Sequence, residues 1–381
     1  MTKPTILHIS HISNDLAMGP VHSIPRLVRA LDDLGMPVAL YTTNPIAPFS
    51  QEQNYPVFYY RDYGNILDIT RLPAPFDNPD LVVFNDVYVI PHILLAYRLR
   101  QRGTPYIMTP RGGLTVGAQN MKRRKKRIAN FLFFNAMVKG AIAIHCLSEN
   151  EAQDTRKWGR PVFVAGNGVD LPTIDGGDHA GDRDSLQLVF IGRLDIHHKG
   201  LDLLLEASRL AQDVLREVNA TINLYGPEVA GSRAKMTAYI FQHQLSDVVI
   251  LHGPTYGAEK DWVLRHADLF LHPSRFEGHP MAVLEALAYG VPCLLTPGTN
   301  IGDEVSLAGA GWCTAPHSEA IAACFREILR NRHQLSAARC HARQLATEQY
   351  SWRHVGERVV EEYLKLHPLA AFNCGKLQHD S

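Results

Sequence analysis

Short apolar runs along the chain alternate with longer stretches whose apolar residues recur at helical spacing, the pattern that parallel sheets flanked by helices require. In the first half the runs predict strands at Ile6–Ser10, Pro37–Thr42, Leu81–Asn85, Tyr106–Thr109, Ala141–Leu147 and Val162–Ala165. Helical spacing there predicts helices over Val21–Leu34, Pro91–Arg102 and Met121–Val138. The pattern then restarts, with strands expected at Leu188–Ile191, Thr221–Tyr225, Val248–Leu251, Leu269–His272 and Val291–Leu295. Helices are expected near Leu201–Leu215, Met281–Tyr289 and Ser318–Leu329, and the chain reads as helical from there on. Between the two halves lies Leu171–Ser185, rich in Gly and Asp and poor in large apolar residues, which reads as a linker.

Length supports the same division, since a chain of 381 residues exceeds the size at which one hydrophobic core stops growing. The expected domains are residues 1–170 and 171–350. Two such α/β domains in tandem would face across a cleft at the carboxyl ends of both sheets, where open sheets bind ligands. A final amphipathic segment opens at Trp352, and the residues from about Ala370 are expected to fray.

Composition narrows the class only a little. With 46% apolar and 20% charged residues the chain is not globally disordered, and a formal net charge of zero gives no general attraction to nucleic acid. The six cysteines are scattered without a CxxC pair, which fits a reducing compartment better than a disulfide framework. The start, MTKPTILHIS, lacks the apolar core of a signal peptide, and no run approaches the roughly 20 apolar residues of a membrane span. A cytoplasmic location is expected.

The candidate chemistry lies in two strand-to-helix turns of the second half. In LVFIGRLDIHHKGLDLLLEA a strand ends at Gly192, and Arg193 and Lys199 follow before the helix near Leu201. Glycine lets backbone approach a ligand closely, and a helix start leaves amides unpaired. Arg193 and Lys199 add positive charge, the one through paired hydrogen bonds and the other as a point charge, so the turn suits a diphosphate. In LFLHPSRFEGHPMAVLEALAYGVPCLLTP a strand ends at His272, a loop carries Glu277 and Gly278, and Pro280 suits the first position of a helix. The amides of His279, Met281 and Ala282 would then favour an anion, while Glu277 and Glu285 offer carboxylates to sugar hydroxyls. Each Glu alone is equally explained as a partner of the helix dipole.

These segments resemble glycosyltransferase family 4, the retaining GT-B enzymes. The resemblance rests on GRLDIHHKG, on EGHPMAVLEALAYGVP with its E-x7-E spacing, and on NGVD at Asn167–Asp170, and it spans roughly residues 160–300. It implies a GT-B fold of two Rossmann-like domains, an amino-terminal acceptor-binding domain onto which the final helix packs back, and a carboxyl-terminal nucleotide-sugar domain. It implies that Arg193 and Lys199 bind the donor diphosphate and act in catalysis with Glu277. Glu277 would hold the transferred sugar with backbone from Gly278 to Ala282, and Glu285 the ribose. Gly226-Pro227-Glu228 and His252–Tyr256 would wall the base, with Gly226 and Tyr256 in contact. The implied reaction moves a hexose-type sugar from a UDP- or GDP-sugar, with retention and without metal or cofactor. The acceptor would be a glycan or lipid-diphosphate-linked molecule of a bacterial surface polysaccharide. A GT-B nucleotide-sugar epimerase and a non-catalytic nucleotide-sugar-binding subunit are the competing classes.

Three positions depart from the family pattern. The spacing from Arg193 to Lys199 is one residue longer than is common. GTNIGDEV, Gly298–Val305, replaces a glycine-rich stretch and leaves the roles of Asn300 and Glu304 open. TPRGGL places Arg111 where many members carry His, and an Arg offers phosphate or acceptor binding but no base. Gly19, opening a helix after the first strand, is the other acceptor-side candidate.

Outside the site, KRRKKR at Lys122–Arg127 precedes IANFLFFNAMV, a basic and aromatic surface that suits an anionic membrane. No nucleic-acid-binding motif accompanies it. Asp182-Arg183-Asp184 lies in the linker and reads as solvated, and the adjacent His197-His198 lack the spacing of a helical metal pair, so no metal is expected.

Overall fold

The computed structural model describes residues 3–12, 19–44, 53–64, 67–120, 123–173 and 185–377. Two compact units divide the chain, Met1–Gly168 with Trp352–Ser381, and Val169–Ser351.

The first unit is built on seven strands: β1 (Ile6–Ser10), β2 (Val38–Thr42), β3 (Val57–Tyr59), β4 (Leu81–Asn85), β5 (Tyr106–Thr109), β6 (Ala143–Cys146) and β7 (Val162–Val164). They pair throughout in parallel, in the order β3-β2-β1-β4-β5-β6-β7. β1, β2, β4, β5 and β6 are buried at every position, as strands covered on both faces must be. The helix Trp352–Leu377 belongs to this unit. Gly356 lets it approach Ala30 and Leu34 of the first helix and the turn after it, and Tyr363 is fully buried beside His8 and Phe163.

The second unit holds β8 (Leu186–Ile191), β9 (Ala220–Tyr225), β10 (Val249–Leu251), β11 (Leu269–His272), β12 (Cys293–Leu295) and β13 (Gly311–Cys313). These too pair in parallel, in the order β10-β9-β8-β11-β12-β13. The strand order reverses direction between β8 and β11, and between β1 and β4 in the first sheet. Loops that leave the carboxyl ends of such neighbours diverge and leave a crevice.

The expected strands all occur within a residue or two, while the three-residue strands β3 and β13 were not expected. Two expected helices differ. Met121–Val138 is described from Arg123 and contains a π turn at Asn130–Phe134 before resuming at Asn135–Gly140. Leu201–Leu215 breaks at Ala211, where φ −109° and ψ 14° leave the helical region, giving Leu201–Leu210 and Gln212–Glu217. Helices at Glu149–Thr155, Ser232–Gln242, Gly257–Arg265 and Gly302–Leu307 escaped the apolar pattern. The last helix continues to Leu377, beyond the Ala370 at which fraying was expected. Asp182-Arg183-Asp184 and Lys122 lie outside the described residues.

Candidate functional site

The two loops flanking the reversal of the second sheet carry the residues singled out from sequence. Gly192 follows β8, and Gly226 follows β9; a β carbon on Gly226 would lie 1.7 Å from the Gly192 carbonyl oxygen, so only glycine permits this crossing. The turn after Gly192 closes through Asp195 N to Arg193 O at 2.7 Å and Lys199 N to Asp195 O at 2.9 Å. Gly200 ends it at φ +64°, with a β carbon there 2.0 Å from the Pro273 carbonyl oxygen. The extra residue between Arg193 and Lys199 is accommodated inside this hydrogen-bonded turn.

The β8 and β11 loops are laced together. His198 stacks on Phe276 at 4.1 Å and donates from Nε2 to its carbonyl at 2.7 Å. Arg275 N donates to His198 O at 3.0 Å, and its guanidinium forks onto Asp202 with two 2.7 Å bonds. Beneath them, Gly298 passes so close to the Ser274 and Arg275 carbonyls that a β carbon would overlap both.

This lacing delivers Lys199 to Glu277. Lys199 Nζ donates to Glu277 Oε1 in a side-chain pair only 12% exposed on each side. Ser274 Oγ donates to the same oxygen at 2.9 Å and His272 Nε2 at 3.2 Å. A carboxylate only accepts, so Nε2 carries the His272 proton. His272 is 1% exposed between Phe190 and Phe270, and burial holds its pKa below the usual imidazole value. Burial alone would raise the Glu277 carboxyl; the Lys199 charge and the His272 hydrogen bond outweigh it and hold it well below the usual carboxylate range. All three donors converge on Oε1, which leaves Oε2 without a protein donor among the described residues.

The loop of Glu277 is held from behind. Asn300, at φ 65°, donates from Nδ2 to the Glu277 carbonyl and to the Gly278 carbonyl at 3.2 Å. Glu304 accepts from Tyr350 Oη. His279 is 8% exposed, packs edge-on to Tyr350, and is pushed by burial to about 4. Pro280 is the N-cap rather than the first helical residue, because its ψ of 107° is extended; the helix begins at Met281. The Pro280 carbonyl takes the amides of Val283 and Leu284, leaving those of Met281 and Ala282 without an acceptor among the described residues. Glu285 is ion-paired with Lys260 of the helix Gly257–Arg265 at 2.6 Å, while Tyr256, the cap of that helix, is 49% exposed. Arg193 is partly exposed, and among the described residues its guanidinium has no hydrogen-bonding or ionic partner.

His272, Ser274 and Lys260 were not anticipated from sequence. His272 ends a strand at the ligand-binding edge, which was a usable signal; Lys260 meets Glu285 only through tertiary packing.

In the first unit Gly19 is the first residue of its helix, and residues 13–18 before it lie outside the described set. Arg111 sits beyond β5 at φ 49°, and its guanidinium donates to Ser23 Oγ at 3.0 Å, Asn85 Oδ1 at 3.2 Å and Asn167 Oδ1 at 3.3 Å. Asp86, beyond β4, is likewise at positive φ, 79°, and accepts from Ser10 Oγ at 3.2 Å. Burial raises its pKa while Arg111 opposes the shift. Two non-glycine residues held in the left-handed region at adjacent strand ends mark an over-determined site, and Asp86 carried no signal in the sequence.

Two parallel doubly wound sheets, the second with a cationic turn and a carboxylate at its reversal, define a GT-B fold. Two family models match most of the chain between them: Glycosyltransferase Family 4 over residues 19–172 and Glycosyl transferases group 1 over residues 177–345. The chain belongs to the group 1, family 4 glycosyltransferases. It is 26% identical over 206 residues to Salmonella typhimurium WcaL, named as a colanic acid biosynthesis glycosyltransferase, covering 52% of this chain and 50% of that one. The chain thus spans about half the length of the curated relatives it matches. Solved structures show the same fold: Thermosynechococcus elongatus sucrose-phosphate synthase at TM-score 0.73, 16% identity, 96% of this chain and 100% of that chain. Anabaena HepE in complex with UDP aligns at TM-score 0.74 and 16% identity, over 95% of this chain and 100% of that chain.

Proposed function

We propose that this protein transfers a hexose-type sugar from a UDP- or GDP-sugar to a glycan or lipid-diphosphate-linked acceptor, with retention of anomeric configuration. The observation that carries the reading is the Glu277 carboxylate, kept ionised by Lys199 and His272 on one oxygen while the other, without a donor among the described residues, can accept sugar hydroxyls. Lys199 and Glu277 cancel each other's charge, so the donor diphosphate is met chiefly by Arg193 and by the amides of Met281 and Ala282. Gly192 and Gly226 bring backbone close to the phosphates, and Gly278, His279 and Pro280 set the direction of the helix. Tyr256 and the Lys260–Glu285 pair border the nucleoside. These groups stabilise the leaving diphosphate, whose oxygen takes the acceptor proton, and catalysis rests on positioning and on charge. No metal is required in this reading.

The UDP bound to HepE and the naming of WcaL for colanic acid biosynthesis support a nucleotide-sugar donor and a surface polysaccharide product. Gly19 and the Asp86–Arg111 cluster are the proposed acceptor side. Free thiols at Cys146, Cys293, Cys313, Cys324 and Cys340 fit a cytoplasmic location.

The test incubates the protein with UDP- and GDP-sugars, with and without a lipid-diphosphate glycan, in the presence of a chelator. The expected result is nucleotide release that depends on acceptor and a product of unchanged anomeric configuration by NMR. Sugar isomerisation without acceptor would instead identify an epimerase, and an inverted product would overturn the retaining mechanism.

A further inference from the structure

The chain as a whole is electrically balanced, yet between Val87 and Ser148 it holds eleven Lys and Arg and no Asp or Glu. The cations concentrate around the helix Arg123–Ala129, where Arg124, Lys125 and Arg127 are exposed. Lys126 is instead folded inward, donating to the Ala118 carbonyl at 2.6 Å and lying 5.0 Å from the Tyr88 ring centroid.

The same stretch is unusually rich in exposed apolar side chains. Ile128 is 61% exposed, Phe131 81% and Phe133 50%, on the helix and the π turn that follows it. On the helix Ile90–Arg102, Ile90, Leu94 and Tyr97 are exposed at spacings of four and three, which puts them on one face. Tyr88 joins the two elements: its hydroxyl donates to Asn130 at 3.0 Å and its ring meets Phe134 edge-on at 4.8 Å. The start of one apolar face therefore lies against the turn that carries the other. An open cavity of about 620 Å³, lined by Gln119, Arg127, Ile128 and Phe131 among others, sits beside them.

We propose that this face docks on an anionic phospholipid bilayer, with Ile128 and Phe131 entering the headgroup layer while Arg124, Lys125 and Arg127 meet lipid phosphates. Charge complementarity combines here with apolar bulk. Cations in a stretch that itself carries no acids attract any polyanion, but aliphatic Ile90, Leu94 and Ile128 have no stacking value for nucleic-acid bases, whereas an interfacial layer solvates them. No helix among the described residues is long and apolar enough to cross a membrane, so attachment is from one side. The surface lies within the Met1–Gly168 unit and vesicle binding needs no nucleotide, so the inference stands or falls separately from the donor chemistry.

Sedimentation with phosphatidylcholine vesicles, with and without phosphatidylglycerol, tests it. Binding is expected only with the anionic lipid, and raised salt should release the protein in part. Arg124→Gln/Lys125→Gln/Arg127→Gln should lower partitioning about 100-fold, at roughly fivefold per cation. Ile128→Ser/Phe131→Ser should abolish the portion that survives high salt. Circular dichroism melts of both variants check that they fold, and the salt titration of the wild type reads the same claim without a variant. Equal sedimentation with neutral and anionic vesicles, or unaltered binding by the folded triple variant, would overturn the proposal. So would single-stranded RNA that displaces vesicles from wild type and binds the Ile128→Ser/Phe131→Ser variant equally well.

Discussion

Lys199 and Glu277 give up most of their hydration to face each other, and such a pair holds only while both partners and their hydrogen bonds are present. Glu277→Gln leaves a nearly buried ammonium without its counter-charge and should cost about 3 kcal/mol in urea unfolding near pH 7. The cost has a pH signature. Folding depresses the Glu277 pKa, so its contribution is complete above the unfolded value of about 4.3 and is lost as pH falls towards the folded value. The stability gap between wild type and Glu277→Gln should narrow below about pH 4; a gap that widens there would contradict the assigned ionisation. Arg193 behaves oppositely, because among the described residues its guanidinium has no protein partner to lose. Arg193→Ala should leave the urea midpoint in place and weaken nucleotide binding about 10- to 100-fold by calorimetric titration.

At the scale of elements, the site depends on backbone crossings that side chains cannot enter. Gly200 and Gly231 are both left-handed, at φ +64° and +72°, but only Gly200 has a carbonyl 2.0 Å from its missing β carbon. Gly231→Ala should cost only the conformational term, about 1–2 kcal/mol. Gly200→Ala should cost distinctly more in the same denaturant series, since the Pro273 loop must move as well; equal costs would mean the loops are not locked together. The same comparison explains what could be read from sequence. Gly192, Lys199 and Glu277 sit at strand-to-helix turns, where apolar runs stop and the allowed chemistry is local. His272 and Asn300 act on Glu277 through contacts across 5 and 23 positions, and Lys260 meets Glu285 from another helix. Asp86 and Arg111 hold unusual backbone angles that no residue pattern announces. Pro280 shows the limit of local rules: it suits the start of a helix, yet the chain places it one residue earlier.

For the whole molecule, two doubly wound units in one chain explain why the rhythm of strands and helices stops near Leu171 and begins again. The strands β3 and β13, each at a sheet edge, and the break at Ala211 left no mark in that rhythm, so the architecture was legible while some of its edges were not. A nucleotide that binds the Val169–Ser351 unit should stabilise it by mass action. In a panel of UDP-, GDP- and ADP-sugars, the cognate donor at about 100 times its Kd should add roughly 2.7 kcal/mol to the unfolding free energy. A panel without any thermal shift would remove the nucleotide from the account.

The central claim is that an ionised Glu277, held by Lys199, serves the transferred sugar. The most direct measurement is the initial rate of sugar transfer by folded Glu277→Gln, alongside its affinity for the free nucleotide. The account predicts a loss of at least about 100-fold in transfer with nucleotide affinity kept within a few-fold, since the carboxylate serves the sugar rather than the base. Transfer at the wild-type rate would contradict it.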